Sequence, residues 1–175
     1  MSTIKKRKLI LFTIVTLLVL VLDQYTKYLA VIYLKGKESI NLISGVLELQ
    51  YLENRGAAFG LFQGQKILIL LAGVVFLIAV MICIVKLPEE KKYNALYIIA
   101  GTMTAGALGN MIDRIRLDYV IDFIYFSLID FPIFNVADIA VTTSVIVLVF
   151  YILFIYKEDD FEFLNFKRKK NGDTK

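Results

Sequence analysis

Four long apolar stretches, three of them free of charged residues, constrain the fold of this chain more than any other feature. Each approaches the ~20 residues with which a helix crosses the hydrocarbon core of a bilayer. The predicted helices span about 9–34, 67–85, 93–112 and 139–156. The first of them is interrupted by Asp23, Gln24 and Lys27. With 58% hydrophobic residues in the chain, we predict a membrane all-α protein with four transmembrane helices and no separate soluble domain.

The distribution of basic residues predicts the orientation of these helices. Most of the 20 Lys and Arg residues precede the first helix, join the second to the third, or follow the fourth. The positive-inside rule places these segments, and both termini, in the cytoplasm. Residues 1–157 are then a single membrane domain, 158–175 are a charged cytoplasmic tail that we expect to fray, and loops 35–66 and 113–137 face outward. Because the charge serves orientation, we expect no nucleic-acid partner.

The N-terminus, a basic segment followed by an apolar one, resembles a signal peptide. No small-residue cleavage site follows it. We therefore expect the segment to remain in place as the first helix.

The first outer loop has the pattern of β-strands rather than of a linker. Apolar and polar residues alternate over 47–51, Asn54-Arg55-Gly56 is a turn signal, and 57–62 could return as a second strand. We predict a small antiparallel sheet over about 40–62 on the outer membrane surface, with the apolar face of the 47–51 strand against lipid or substrate. Residues 120–126 of the second outer loop are too apolar to be solvated, and we expect them in the membrane interface.

The composition limits the chemistry that the chain can perform. It has no histidine and one cysteine, Cys83, which lies inside an apolar stretch. Zinc sites of the HExxH type and Ser-His or Cys-His pairs are therefore impossible. Acid–base chemistry would have to come from Asp, Glu, Lys or Tyr, and we expect no metal and no cofactor.

Two aspartates, one in the second outer loop and one directly after it, lie in environments that should affect their protonation differently. Asp138 follows Asn135, a candidate N-cap, so the helix dipole favours its ionised form. Apolar neighbours should raise the pKa of Asp122. If the two meet, one can hold a proton while the other is ionised, as in an aspartic peptidase pair. Alternatively, Asp138 only caps the helix and Asp122 pairs with Arg114 or Arg116.

Other polar residues near the membrane have both structural and functional interpretations. Asp23 and Lys27 are four residues apart and could simply pair with each other, and Asp113-Arg114 could be a helix-end ion pair. Asn54 and Asn110 could hold a substrate backbone or only cap and turn the chain. A peptidase, a proton-coupled transporter with buried aspartates and a non-catalytic scaffold all remain possible on these residues alone.

Five sequence blocks, in this order, resemble the lipoprotein signal peptidases (signal peptidase II). The blocks are DQYTK (23–27), NRGAAFG (54–60), GALGNMIDR (106–114), VIDF (120–123) and FPIFNVAD (131–138). The resemblance covers about residues 9–156.

This resemblance implies an aspartic endopeptidase of the bacterial cytoplasmic membrane, with its active site facing outward. It would remove the signal peptide from prolipoproteins just before a diacylglyceryl-modified cysteine, with Asp122 and Asp138 as the catalytic pair. The residues implied to bind substrate or support the pair are Asp23, Lys27, Asn54, Gly56, Asn110, Arg114 and Asn135. The implied partners are diacylglyceryl-prolipoproteins, membrane lipid and globomycin-type inhibitors, and the resemblance implies no cofactor or metal.

Overall fold

The computed structural model describes residues 1–57 and 61–164. Its long helices are α1 (Thr3–Leu34), α2 (Lys66–Lys86), α3 (Asn94–Leu117) and α4 (Val136–Phe154). All four are long and apolar enough to cross a membrane. The predicted four-helix membrane fold is confirmed.

Helix ends differ from the predicted ones where polar side chains satisfy the backbone. α1 includes the basic N-terminal residues because Ser2 caps it, accepting a hydrogen bond from the Lys5 N–H at 3.0 Å. α3 continues past 112 and ends where Asp118 adopts a left-handed conformation. α4 begins directly after Asn135, which is the N-cap that the sequence predicted.

A three-stranded antiparallel sheet lies at one end of the helices. Its strands are β1 (Ile40–Ile43), β2 (Leu47–Asn54) and β3 (Val120–Tyr125), in the order β1-β2-β3. The predicted small antiparallel sheet is confirmed, but it extends beyond 40–62, because its third strand comes from the second loop. Residues 55–57 and 61–64 form bends and turns instead, apart from one residue without assigned structure, and 58–60 lie outside the described residues.

β3 explains the apolar 120–126 segment, which was expected to be an interfacial loop. The first four residues of this strand are buried, so it needs apolar side chains on both faces. Part of the apolar side of β2 packs inward, since Leu49 and Tyr51 are partly buried and contact a core cluster. That cluster consists of Ala30, Leu34, Ile121 and Phe123. The predicted contact of this side with lipid or substrate stays a prediction.

α3 is the central helix and packs against α1, α2 and α4. Its glycines permit this close approach. A Cβ on Gly101 would lie 2.9 Å from the Phe12 carbonyl oxygen of α1, and one on Gly106 would lie 2.5 Å from the Ala137 carbonyl oxygen of α4. α1 and α4 both pack closely on α3, and they also contact each other.

The end of the molecule opposite the sheet holds the N-terminus, the segment between α2 and α3, and a 3-10 helix at Glu158–Leu164. The Lys5 Nζ donates to the Ile84 and Leu87 carbonyls at the end of α2. The Tyr93 ring contacts the Phe163 ring. Residues 158–164 are therefore folded rather than frayed, and the rest of the predicted tail, 165–175, lies outside the described residues.

Candidate active site

Asp122 and Asp138 are brought together by the side chain between them in sequence, Asn135. Asp122 lies in β3 and is 1% exposed, whereas Asp138 lies in the first turn of α4 and is half-buried. The Asn135 Nδ2 donates to the Asp122 Oδ1 at 2.6 Å, and the Asn135 backbone N–H donates to the Asp138 Oδ2 at 3.1 Å. One buried residue thus holds both carboxyl groups.

Asn135 can do this because it is also the N-cap of α4. Its Oδ1 accepts a hydrogen bond from the Asp138 N–H at 3.0 Å, which completes a reciprocal capping box. The structural interpretation of Asp138 as a capping residue is therefore correct, and it is compatible with a second role. Among the residues that the structure describes, neither Arg114 nor Arg116 forms an ion pair with Asp122. The Asp122 carboxyl accepts from asparagine amides, and Arg114 donates elsewhere.

Two further asparagines complete the surroundings of the pair. The Asn110 Nδ2 of α3 donates to the Asp138 Oδ1 at 2.8 Å. The Asn54 Nδ2 at the end of β2 donates to the Asp122 Oδ2 at 2.9 Å. Each of the four carboxyl oxygens therefore accepts one protein hydrogen bond. An ionised carboxylate can still accept from a water O–H, and a protonated one can donate its O–H to a substrate carbonyl.

Burial and the neighbouring polar groups together set the pKa of Asp122. Burial, and secondly the nearby negative charge of Asp138, raise the pKa of Asp122 to about 7. The amides of Asn54 and Asn135 oppose this rise, because they donate to the ionised form. The direction agrees with the pKa predicted from the apolar neighbours of Asp122. Near neutral pH, this carboxyl can both hold and release a proton.

Arg114 connects α3 to the segment after β2. It is buried, and its guanidinium donates to the Gly56 carbonyl at 2.6 Å and to the Asn110 carbonyl at 3.2 Å. The Gly56 N–H in turn donates to the Asn54 Oδ1 at 2.9 Å. This chain of contacts orients the Asn54 amide toward Asp122.

The predicted i,i+4 pair of Asp23 and Lys27 is present and completely buried, with a distance of 2.9 Å. Lys27 also pairs with Asp113 at 2.9 Å. The interpretation of Asp113 as a helix-end partner of Arg114 is therefore wrong. Asp113 lies inside α3, which continues to Leu117, and its side chain contacts Lys27 of α1.

Asp113 and Gln24 were not among the predicted site residues, although both contact this buried cluster. A signal for Asp113 was present in the sequence. Asn110, Asp113 and Arg114 have the i, i+3, i+4 spacing that places three residues on one helix face.

The arrangement is suited to general acid–base chemistry. A buried and a half-buried carboxyl group are both held by Asn135, so one could activate water while the other, protonated, polarises a carbonyl. Residues 1–57 and 61–164 contain no group of three or more Cys, Asp or Glu side chains that could hold a metal ion.

Comparisons with known proteins all indicate the same family. The family model described as signal peptidase (SPase) II matches residues 15–154. The chain is 42% identical over 142 residues to the lipoprotein signal peptidase of Caldanaerobacter subterraneus subsp. tengcongensis, covering 81% of this chain and 94% of that protein. It is 39% identical over 155 residues to the lipoprotein signal peptidase of Lactobacillus johnsonii, covering 88% of this chain and 99% of that protein.

A solved structure described as a bacterial membrane enzyme is also similar. It superposes with a TM-score of 0.73 at 30% identity, over 91% of this chain and 94% of that one. Sequence blocks, fold and relatives agree, and this multi-pass membrane protein belongs to the signal peptidase II family, the lipoprotein signal peptidases.

Proposed function

We propose that the chain is an aspartic endopeptidase that removes the signal peptide from bacterial prolipoproteins, cutting just before a diacylglyceryl-modified cysteine. Family membership makes it a peptidase. The observation that supports the aspartic mechanism is that Asn135 donates hydrogen bonds to both Asp122 and Asp138. A buried pair of carboxyls in a peptidase without histidine has the composition that this chemistry needs.

In the proposed reaction the pair starts with one shared proton. The ionised carboxylate takes a proton from water as that water attacks the scissile carbonyl carbon, and the protonated carboxyl donates to the carbonyl oxygen. As the tetrahedral intermediate collapses, a carboxyl proton passes to the leaving amine. The two groups titrate together, so the proton is assigned to the pair rather than to one aspartate.

The remaining predicted site residues are proposed to act through the pair. The amides of Asn54, Asn110 and Asn135 fix the four carboxyl oxygens. Gly56 and Arg114 fix Asn54.

The position of the pair suits a substrate held in the membrane. Asp122 and Asp138 lie where the sheet meets the first turn of α4. The charge pattern supports an orientation in which that end faces the outer surface of the bacterial cytoplasmic membrane and both termini lie in the cytoplasm. A diacylglyceryl group would keep a cysteine at this depth, because each buried CH₂ contributes ~0.8 kcal/mol. By the family resemblance, globomycin-type inhibitors would occupy the same place.

The catalytic assignment is tested with purified protein and a diacylglyceryl-modified prolipoprotein in detergent. Asp122→Asn and Asp138→Asn should each lower turnover by about 10³-fold or more, because members of a catalytic unit are individually essential. Asp130→Asn is the matched control, since Asp130 lies in the same loop, is exposed, and has a left-handed backbone that asparagine tolerates. Near-normal turnover of either active-site variant would contradict the assignment.

Substrate selection is tested in the same micelles, where partitioning into a membrane is largely equalised. A prolipoprotein with an unmodified cysteine should be cut far more slowly than its lipidated form. Equal rates would show that the lipid only concentrates the substrate.

A further inference from the structure

The residue before each proposed catalytic aspartate donates its backbone N–H to another buried carboxylate. The Ala137 N–H, next to Asp138, donates to the Asp23 Oδ1 at 2.9 Å. The Ile121 N–H, next to Asp122, donates to the Asp113 Oδ2 at 3.3 Å. Asp23 belongs to α1 and Asp113 to α3, so the two anchors stand on different helices.

A single ammonium group joins the two anchors. The Lys27 Nζ lies 2.9 Å from the Asp23 Oδ2, 2.9 Å from the Asp113 Oδ2 and 2.9 Å from the Asn110 Oδ1. A lysine has three N–H donors, and these contacts use all of them. Lys27 therefore has no donor left for a substrate, although it lies close to the pair.

Gln24 makes a second connection between the same anchors. Its Nε2 lies 3.0 Å from the Asp113 Oδ1 and 3.2 Å from the Asp23 Oδ2. We call Asp23, Gln24, Lys27 and Asp113 the Lys27 cluster. Gly109 of α3 admits this cluster, because a Cβ at that position would overlap the Asp23 carboxylate.

The third contact of Lys27 fixes an amide in the active site. Because the Asn110 Oδ1 accepts from Lys27, the Asn110 Nδ2 is left to face the Asp138 Oδ1, at 2.8 Å. The Asn110 Oδ1 also accepts from the Asn135 Nδ2 at 3.1 Å, and Asn135 contacts Asp122. The cluster is thus connected to both aspartates in two ways, through the backbone N–H groups next to them and through the side chains of Asn110 and Asn135.

We propose that the Lys27 cluster is a positioning device that sets the distance and orientation of Asp122 relative to Asp138, with Asp113 and Gln24 as positioning residues for the cleavage reaction. This inference rests on the proposed function. Asp122 lies on a strand and Asp138 on a helix. The backbone N–H beside each of them donates to a carboxylate that pairs with Lys27. The other connections between the two backbones run through Asn110, through Asn135, and through the backbone hydrogen bonds of Phe134 with β3.

A purely structural cluster would hold α1 against α3 without affecting the chemistry, so the test must separate stability from turnover. Asp113→Asn keeps the size of the side chain but cannot accept from Lys27, Gln24 and Ile121 together. Gln24→Met removes one connection and leaves the buried charges paired, so it keeps the test decisive if Asp113→Asn fails to fold. Thr16→Val is the matched control, because it removes a 3.2 Å hydrogen bond from α1 to the Gly101 carbonyl of α3, far from both aspartates.

The measurements are kcat, KM and the affinity for a lipidated substrate analogue in which a hydroxyethylene group replaces the scissile amide. Such an analogue binds through the aligned pair, so its affinity reports the alignment directly. Asp113→Asn should lower kcat by about 10- to 100-fold with little change in KM, since small misplacements of catalytic groups have effects of this size. Affinity for the analogue should fall by a similar factor, and Gln24→Met should show a smaller change of the same kind.

Thr16→Val should lower the melting temperature and leave kcat and analogue affinity unchanged. Unchanged kcat in both Asp113→Asn and Gln24→Met would overturn the proposal, as would an equal loss of kcat in Thr16→Val. These outcomes differ from a failure of the proposed function, in which Asp122→Asn itself would keep its turnover.

Discussion

Replacing Asp122 by asparagine should stabilise the protein at alkaline pH while it abolishes peptidase activity. The buried carboxyl has a pKa of about 7 in the folded protein and an ordinary value of 3.8. A group whose pKa is raised by folding favours the folded state at low pH, and this contribution is lost as the pH rises toward the folded-state pKa. The wild-type protein should therefore lose stability between about pH 4 and pH 8, and Asp122→Asn should not.

The size of the effect follows from the two pKa values. Each pH unit between them corresponds to about 1.4 kcal/mol, so ionising Asp122 above pH 7 costs about 4 kcal/mol of folding free energy. The amide is not a perfect replacement, because Asn54 and Asn135 donate to opposite oxygens of Asp122 and one of them would face an NH₂ group. That mismatch costs about 1–3 kcal/mol at every pH. The variant should be less stable than wild type near pH 4 and more stable near pH 8.

Thermal unfolding in detergent, followed by circular dichroism of the helices, measures this difference. The chain has no tryptophan, so intrinsic tryptophan fluorescence cannot serve. The difference in melting temperature between Asp122→Asn and wild type should change sign between pH 4 and pH 8, by several degrees in total. Asp130→Asn, at an exposed site, is the control and should show no such change. A difference that does not vary with pH would refute a raised pKa at Asp122.

Three further predictions concern the surroundings of the pair. The Asn54 amide lowers the pKa of Asp122, so Asn54→Ala should raise this pKa and move the alkaline limb of the pH–rate profile to higher pH. An unmoved limb would contradict this role. Asn135→Ser and Asn135→Ala should lose similar activity in a cleavage assay, but the serine variant should be more stable by about 1 kcal/mol because it keeps a helix cap. Gly109→Ala should lower both melting temperature and turnover, because its Cβ meets the Asp23 carboxylate, whereas Gly73→Ala meets only the flexible end of Met111 and should be tolerated; equal effects would show that the contact at Gly109 is unimportant.

The helices and the capping of α4 could be predicted because they depend on local sequence. Long apolar stretches define the spans, and Asn135 followed by Asp138 is a recognisable N-terminal pattern. The third strand could not be predicted in this way. β3 pairs with β2, which lies far away in sequence, so its apolar residues did not distinguish a buried strand from an interfacial loop.

Most residues of the candidate site could be named from the sequence, but the contacts between them could not. Residues that share a helix face could be paired from their spacing, as Asp23 and Lys27 were. The link from Lys27 to Asp113 joins two helices, and the link from Asp113 to Ile121 joins a helix to a strand. Such contacts depend on tertiary packing, here on glycines of α3 that allow the helices to approach closely.

The central claim is that Asp122 and Asp138 act as one catalytic unit, and the turnover of the double variant tests it most directly. Single-turnover rates on a diacylglyceryl-modified prolipoprotein should be measured for Asp122→Asn, Asp138→Asn and the variant with both changes. If each aspartate functions only with the other, the double variant should be no slower than either single variant. A double variant slower by the product of the two single effects would show that the aspartates contribute independently, and would contradict the pair.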